Sequence, residues 1–271
     1  MKYSVDELKK IAKDVRRGII DAVYSGQSGH PGGALSCADI LTYLYFNEMN
    51  VNPSNPKAED RDRFILSKGH ASPAIYSVLA NRGFFPIEEL KTFRKADSFL
   101  QGHPDLNKVP GVDMTSGSLG QGLSVANGMA LAGRLNNKDY YVYIVLGDGE
   151  IAEGQVWEAA MSSSHYKLNN IIAFVDFNGL QIDGAVEEVM NVTPIKEKFE
   201  AFGWNTIEID GHNFHEIHEA VKKAKESTDK PTVIIAHTVK GKGVSFMENQ
   251  VGWHGKAPNE EEYKIACEEL K

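Results

Sequence analysis

This 271-residue chain lacks the features that would place it in a membrane, on a nucleic acid or in an oxidising compartment. No apolar run approaches the roughly 18 residues of a membrane span, and Met1-Lys2 is followed by a polar amphipathic segment rather than a signal-peptide core. The net charge is −8 with no basic cluster, which argues against a nucleic-acid or anionic-membrane partner. Cys37 and Cys267 have no metal-binding spacing, so we expect a reduced, cytoplasmic protein.

What is present is typical of a globular α/β protein. Hydrophobic residues make up 42% and charged residues 24% of the chain, and no internal repeat or low-complexity tract interrupts it. Short apolar runs alternate with helical patterns along the second half, an order that favours a doubly wound, mostly parallel sheet with helices on both faces. We expect residues 1–271 to form one domain.

The segment 140–184 is the centre of the chain's organisation. Tyr141–Leu146 is a β-branched apolar run expected to be a buried strand, and it ends at a Gly-Asp-Gly turn. Glu150–Tyr166 is expected to be a helix, and Asn170–Val175 a second strand. Parallel strands joined by a helix end at the same edge of a sheet, where open α/β folds bind ligands. Two polar residues just past those strand ends, Asp148 and Asn178, are therefore expected to converge.

Asp148 and Asn178 offer oxygen ligands, which suit a hard cation such as Mg²⁺ or Ca²⁺. Such ions take substrate phosphate oxygens, and Gly149 is expected to open a helix whose free N–H groups attract phosphate, so a metal-bound diphosphate is the natural ligand. The competing interpretation is a dinucleotide site, because Gly147–Ala152 fits G-x-G-x-x-A. The ribose-binding acid expected about 20 residues on is missing near Lys167, which favours the metal and diphosphate.

Other elements follow from caps and periodicity. The Ser4-x-x-Glu7 capping box predicts the first helix, and a second is expected to start near Ser36 or Asp39. Ser72 is expected to cap a helix with Pro73 at its first turn. Further helices are expected at Ile87–Arg94, Ser118–Leu135, Thr193–Phe202, Asn213–Ser227 and in the tail, with strands at Arg63–Leu66, Asn205–Ile209 and Thr232–His237. The glycine-rich segment Lys240–Pro258 is expected to be a mobile flap.

Four of the nine histidines sit in loops flanked by glycine or proline, namely His30, His70, His103 and His254. An imidazole titrates near neutrality and can bind hydroxyls or move protons. Taken singly, each histidine is better explained as an incidental surface residue or a satisfied histidine than as a functional one. A glycine neighbour lets a ligand approach the ring but does not by itself assign a function.

Five further motifs occur along the chain: SGHPGG at Ser28–Gly33, SKGHASPAIY at Ser67–Tyr76, QGHP at Gln101–Pro104, GSLGQGLSVANGMA at Gly117–Ala130 and WHGKAP at Trp253–Pro258. Together with the Gly-Asp-Gly turn and the asparagine about thirty residues later, they resemble the transketolase family over nearly the whole chain. The resemblance implies the thiamine diphosphate (ThDP) binding fold, with this chain as its diphosphate-binding domain. It also implies ThDP as cofactor, with Mg²⁺ or Ca²⁺.

The same resemblance implies roles for individual residues. Asp148 and Asn178 would give side-chain oxygens to the metal, and Leu180 its backbone carbonyl. The residues that would lie against the cofactor are His70, Gly117, Ser118, Leu119, Asp148, Gly149, Glu153, Asn178 and His254. His70 and His254 would reach the diphosphate or the donor sugar, while His30 and His103 face the substrate.

Acidic residues near these positions have two interpretations each. Glu153 and Glu158 match glutamates that communicate between active sites across the transketolase dimer, and Glu153 is counted with the four histidines as catalytic. Both could instead be exposed acids of an amphipathic helix. Asp176 could orient the loop that follows it or simply cap that loop.

The reaction implied by the resemblance transfers a two-carbon ketol unit from a ketose phosphate to an aldose phosphate. The chain stops where full-length transketolases continue into pyrimidine-binding and C-terminal domains, which carry the glutamate that activates the cofactor. We therefore expect the partner to be a separate C-terminal subunit, and the assembly to be a pair of heterodimers. Alternatives are a 2-oxo-acid dehydrogenase α-subunit, which would not be expected to carry the histidine loops, and a non-catalytic subunit that retains the fold. A 1-deoxyxylulose-phosphate synthase relative is expected as one longer chain.

Overall fold

A five-stranded parallel sheet runs through the computed structural model, which describes all residues 1–271. The strands are β1 (Arg63–Leu66), β2 (Val142–Gly147), β3 (Ile171–Phe177), β4 (Asn205–Asp210) and β5 (Thr232–His237). They lie in the order β1-β2-β3-β5-β4, and every neighbouring pair is parallel. The predicted parallel sheet is confirmed, and all five carboxyl ends share one edge.

The helices are α1 (Val5–Gly26), α2 (Pro31–Ser36), α3 (Ala38–Thr42), α4 (Ser72–Arg82), α5 (Gly122–Leu135), α6 (Gly154–His165), α7 (Val186–Val189), α8 (Ile195–Ala201), α9 (Phe214–Lys225) and α10 (Glu260–Glu269). Successive strand residues point to opposite sides of the sheet, so both faces carry apolar side chains, and helices cover both. Tyr143 and Val145 pack with α1–α4 and α9, whereas Val142 and Ile144 pack with α5, α6 and α8. None of the helices combines the length and apolar character that crossing a membrane requires.

Local signals set several element boundaries as expected. Ser4 and Glu7 form the reciprocal capping box of α1, and Gly83 ends α4 in the left-handed region at φ 93°. The helix predicted to start near Ser36 or Asp39 is α3, which begins at Ala38. A short helix that was not predicted, α2, precedes it and begins at Pro31, whose fixed φ suits the first helical position.

The first turn of α4 also differs from expectation. Ser72 is already helical, and its hydroxyl donates to the Gly102 carbonyl at 2.8 Å instead of capping the helix. Residues Ile87–Thr92 form a short 3₁₀-helix, and α5 begins only at Gly122, which leaves Ser118 in the preceding loop. Loop contacts, which periodicity does not register, decide these boundaries.

Two differences concern the functional edge of the sheet. The turn after β2 continues into a 3₁₀-helix at Glu150–Ala152, and α6 begins only at Gly154, so Gly149 does not open a long helix. The segment Lys240–Pro258 is not a flap separate from the core. Its Val244 and Met247 are completely buried, and the Arg16 guanidinium donates to the Lys242 carbonyl at 3.0 Å. This segment therefore packs against the core and is held by the hydrogen bond from α1.

Candidate active site

A cavity of about 510 Å³ opens at the carboxyl edge of the sheet. Part of its lining comes from residues within three positions of the ends of four strands: Lys68 after β1, Asp148 after β2, Asn178 after β3 and Lys240 after β5. This size is within the usual range for a small-molecule site. Its position matches the crevice where parallel α/β sheets bind ligands.

The Asp148 carboxylate joins the ends of β2 and β3. One oxygen accepts from the Gly149 N–H at 2.8 Å and the other from the Gly179 N–H at 2.7 Å. Burial, and then the negative charge of Asp176, raise the pKa of Asp148 to about 6. A divalent cation at this point would offset both effects.

Asn178 and Leu180 lie on the loop that Asp148 holds. The Asn178 Oδ1 accepts from the Leu180 N–H at 3.1 Å, so the loop turns back at the cavity. The Lys240 ammonium donates to the Leu180 carbonyl at 3.2 Å and contacts His254 Nδ1 at 3.0 Å. Burial lowers the pKa of Lys240 to about 8. An ammonium group therefore already contacts the Leu180 carbonyl, which the family resemblance implies is a metal ligand.

The donors at this edge fit a hard cation. No group of three or more His, Cys, Asp or Glu side chains is arranged to hold a metal ion. The available donors are instead a carboxylate, an amide oxygen and a main-chain carbonyl. Mg²⁺ and Ca²⁺ accept such a set when waters and phosphate oxygens complete the shell, whereas thiolate- or imidazole-seeking metals would not.

Three of the four predicted histidines form a cluster over the cavity. The ring centroids of His30, His70 and His254 are 5.1 to 5.4 Å apart in all three pairs. Burial is the largest cause that lowers each pKa, to about 4 for His30 and His254 and about 2 for His70. Nearby cations act in the same direction, since Arg94 lowers the pKa of His30, Lys68 that of His70 and Lys240 that of His254. The cluster is neutral near pH 7 and presents hydrogen-bonding nitrogens rather than charge.

Two polar atoms at the cavity are buried without a partner: the Nδ1 of His30 and the side-chain amide nitrogen of Gln181. Unpaired buried polar atoms are rare in folded proteins because each costs free energy. Both atoms belong to cavity-lining residues, so a polar ligand seated there would satisfy them. This agrees with the oxygen-rich edge beside them.

Most of the residues singled out from sequence line this cavity, namely His30, His70, Gly117, Leu119, Asp148, Gly149, Glu153, Asn178, Leu180 and His254. Two do not. Ser118 is exposed in the loop before α5, and His103 is exposed beside Gly117, where an added Cβ would lie 3.3 Å from the His103 ring. Glu153 and Glu158 are exposed at the start and on the surface of α6.

Three buried charged residues at the cavity were missed. Lys68 and Glu150 line it at 2% and 3% exposure, and Lys240 at 1%. The Glu150 carboxylate accepts from the Gly147 and Gly120 N–H groups at 2.9 Å each, as well as from the Ser67 hydroxyl. Gly120 approaches this closely because its φ is 80° and an added Cβ would lie 2.7 Å from Glu153 Cβ. The available signal was position, since Lys68 and Lys240 both closely follow strands.

A parallel sheet with an oxygen-rich cavity at its carboxyl edge, set off by a Gly-Asp-Gly turn and an asparagine one crossover later, defines a ThDP-binding α/β domain. The chain belongs to the transketolase family, since residues 7–270 match the family model described as transketolase, thiamine diphosphate binding domain.

Relatives in the family include two chains of similar length. The 6-deoxy-6-sulfo-D-fructose transketolase subunit SqwG of Clostridium sp. (strain MSTE9) is 44% identical over 98% of this chain and 96% of its own. One subunit of the apulose-4-phosphate transketolase of Phocaeicola vulgatus is 42% identical over 98% of this chain and 94% of its own. The crystal structure of transketolase from Campylobacter jejuni superposes with a TM-score of 0.92 at 36% identity. It covers 99% of this chain, which spans only 43% of that transketolase.

Proposed function

We propose that this chain is the diphosphate-binding subunit of a two-chain, ThDP-dependent transketolase. The enzyme transfers a two-carbon ketol unit from a ketose phosphate to an aldose phosphate. The observation that carries the proposal is the convergence of Asp148, Asn178 and the Leu180 carbonyl at one cavity, with three neutral histidines directly above. Similarity to two transketolase subunits along almost their full length supports the two-chain arrangement.

The metal in this proposal is Mg²⁺ or Ca²⁺, held by Asp148, Asn178 and the Leu180 carbonyl. Gly117, Leu119, Gly149 and His70 would lie against the cofactor, with Ser118 nearby in the same loop. ThDP, when bound, supplies the carbanion chemistry that cleaves and forms carbon–carbon bonds next to a carbonyl. The Lys240 ammonium contacts the Leu180 carbonyl, which is one of the proposed metal ligands. Lys240 would therefore lie near the metal-bound diphosphate and attract its negative charge.

The histidines have the chemistry of a sugar-binding surface. Neutral imidazoles can donate to one hydroxyl or carbonyl oxygen and accept from another. We assign His30, His70 and His254 to donor binding and proton transfer at the sugar oxygens, with His103 farther out toward the acceptor. Glu153, the N-cap of α6, and Glu158, which is exposed on α6, are assigned to communication between active sites across the dimer interface.

A separate C-terminal subunit is proposed to cover the cavity and complete the cofactor site, and two such pairs form a heterotetramer. Large apolar side chains around the cavity mouth and on the adjoining helices support a covering partner: Leu135, Met161, Ile182 and Met190 are 82%, 61%, 63% and 59% exposed. Exposed apolar side chains beside a ligand cavity are suited to contact with a partner, and Ile182 and Met190 are the two of this set that lie there.

The proposal is tested by mixing the purified chain with its partner, ThDP and Mg²⁺ and measuring two-carbon transfer between ketose and aldose phosphates. We expect Asp148→Ala to lose at least about tenfold in activity, since removing a metal ligand or its support typically costs 10- to 100-fold. Asp62→Ala is the matched control, because Asp62 is a buried carboxylate at the opposite edge of the sheet, bonded to the Tyr141 N–H at 2.8 Å.

The outcomes separate the alternatives. Decarboxylation of 2-oxo acids without ketol transfer would identify a 2-oxo-acid dehydrogenase subunit instead. Calorimetry that detects no ThDP binding in the presence of metal and partner would identify a non-catalytic subunit. Sulfonated and phosphorylated ketoses should be assayed side by side, because the two subunit relatives are named for one of each.

A further inference from the structure

Beneath the histidine cluster lies a buried ion pair that the proposed chemistry does not use. Asp176, at the end of β3, has no exposed surface, and Lys68, after β1, is 2% exposed. The Lys68 ammonium donates to Asp176 Oδ2 and, at 2.6 Å, to the Gly33 carbonyl. Two hydroxyls complete the carboxylate shell: Ser36 donates to Oδ2 at 2.5 Å and Thr238 donates to Oδ1.

Each partner of Asp176 belongs to a segment that carries a site residue. Ser36 is on α2, whose N-cap is His30. Lys68 is two residues before His70, and Thr238 is two residues before Lys240, which in turn contacts His254. One carboxylate therefore bonds to all three chain segments that bring the histidines together, although these segments are far apart in sequence.

Stability alone gives no reason for such a pair. Removing two charges from water is costly, and well-packed apolar residues in place of a buried ion pair are often neutral or stabilising. A fully bonded polar network does something that apolar packing does not, since it admits only one arrangement of the groups it joins. Here the groups joined by the network lie in the segments that lead to the three rings.

We propose that Asp176, with Lys68, is the positioning group that holds His30, His70 and His254 in their mutual geometry. This inference rests on the proposed function, in which the histidines bind the sugar. Asp176 and Lys68 act through the histidines: the carboxylate orients α2 and the Thr238–Lys240 segment, and the ammonium closes the network at Gly33.

The test first reads the histidines directly, in the full chain with labelled imidazoles, by NMR at neutral pH and without cofactor. Ser36→Ala is expected to shift the ring signals of His30 and Thr238→Val those of His254, and neither substitution changes a charge. Asp62→Asn is the matched control, because it alters a buried carboxylate at the opposite sheet edge and is expected to move none of the three. This mapping of one variant to one ring distinguishes positioning from a general loss of stability.

The second reading uses the complex with the partner subunit, ThDP and Mg²⁺. Asp176→Asn is expected to lower kcat/KM for the donor ketose by about 10- to 100-fold, the usual cost of losing a group that orients site residues. The loss should shrink sharply in a His254→Ala background, since a positioning group cannot act through an absent ring. Asp62→Asn should leave kcat/KM near the wild-type value.

Overturning results are equally specific. Unmoved rings in the Ser36 and Thr238 variants would refute the inference, as would equal shifts in Asp62→Asn, and so would an Asp176→Asn loss that stays unchanged without His254. If Asp176→Asn does not fold, the two hydroxyl variants still decide. The NMR arm needs no catalysis, so failure of the wild-type complex to transfer ketol units would count against the proposed function alone.

Discussion

Three imidazole rings and two ammonium groups surround the same cavity, and burial together with their mutual repulsion sets which of them carries a proton. The pKa values of His30 and His254 fall to about 4 and that of His70 to about 2, because a buried charge next to Lys68 and Lys240 is unfavourable. Neutral rings suit hydrogen bonding to sugar hydroxyls, whereas imidazolium rings would repel Lys240.

This charge pattern predicts a loss of stability in mild acid. In the unfolded chain, the histidines bind protons as the pH falls below 6.5, the ordinary histidine pKa. In the folded chain, His30 and His254 stay neutral until about pH 4. The unfolded state therefore binds more protons in this range, and the contribution of the cluster to the free energy of unfolding falls as pH drops from 6.5 to 4.

The measurement is urea denaturation of the chain from pH 7 to pH 4, with histidine NMR titration alongside. The His30→Gln and His254→Gln double variant is expected to show a smaller slope of stability against pH over this range. An identical slope, or rings that protonate near pH 6.5, would contradict the prediction.

A second prediction concerns Lys240 and His254, whose side chains meet at 3.0 Å. Lys240→Met removes the neighbouring cation, the second cause after burial of the low His254 pKa, so that pKa is expected to rise from about 4 toward its ordinary value. NMR titration of the ring checks this. Lys242→Met, two residues on at a partly exposed lysine, is the control and should leave the ring unchanged.

Packing between α1 and α4 depends on the absence of a side chain at one position. A Cβ at Gly18 would lie 2.3 Å from Ser77 Oγ and 2.9 Å from a Leu90 methyl, and that hydroxyl already donates to the Val15 carbonyl at 2.7 Å. Gly128 in α5 has nothing within 4 Å of an added Cβ. An added methyl group would therefore clash at Gly18 but not at Gly128.

Gly18→Ala is accordingly expected to reduce the free energy of unfolding by about 1–3 kcal/mol through overpacking. Gly128→Ala is expected to raise it by roughly 0.5–1 kcal/mol, the gain for alanine over glycine in an open helix position. Denaturant unfolding of the two variants side by side checks this, and changes of the same sign would refute the packing account.

The existence of most helices and strands was predictable from the sequence, because buried elements show apolar runs or apolar residues at helical spacing. The strands after Arg63, Tyr141, Asn170 and Thr232 are apolar runs buried on both faces, and α1 and α9 carry clear apolar stripes. Asp148 and Asn178 could be placed together because parallel strands end at one edge. Contacts between distant segments left no such pattern, so the start at Pro31, the 3₁₀-turn at Glu150 and the burial of Val244 were not foreseen.

The residues of the site can likewise be separated into those that the sequence predicts and those that it does not. Histidines in glycine loops are conspicuous in a sequence, whereas Lys68, Glu150 and Lys240 look like ordinary solvated charges. Burial of their charges becomes visible only once β1, β2 and β5 stand side by side. The exposed positions of His103 and Ser118 likewise depend on the loop 96–121, which has no periodicity to place it.

At the scale of the whole molecule, the two faces of the sheet are unequal. The cavity mouth and the helices α5 and α6 expose Leu135, Met161, Ile182 and Met190 at 59% to 82%, whereas the exposed apolar residues packed on the other face, Ile87 and Ile265, are 52% and 44% exposed. The proposed partner subunit should therefore dock over α5, α6 and the cavity.

Met161→Asp tests this docking surface, because it places a charge on the exposed face of α6. We expect affinity for the partner subunit to fall at least about tenfold, or 1.4 kcal/mol, while the stability of the isolated chain changes by no more than about 0.5 kcal/mol. Titration calorimetry measures the affinity. Ile265→Asp on α10, exposed on the other side of the sheet, is the control, and equal losses from both variants would place the interface elsewhere.

The strand order has a consequence for synthesis on the ribosome. β5 is translated last yet inserts between β3 and β4, so β4 has no hydrogen-bonded neighbour until residues 232–237 have left the exit tunnel. Lys240 and His254 follow even later. The edge of β3 that receives β5 therefore stays unpaired until β5 emerges, and Lys240 and His254 join the cavity only after all five strands have been translated.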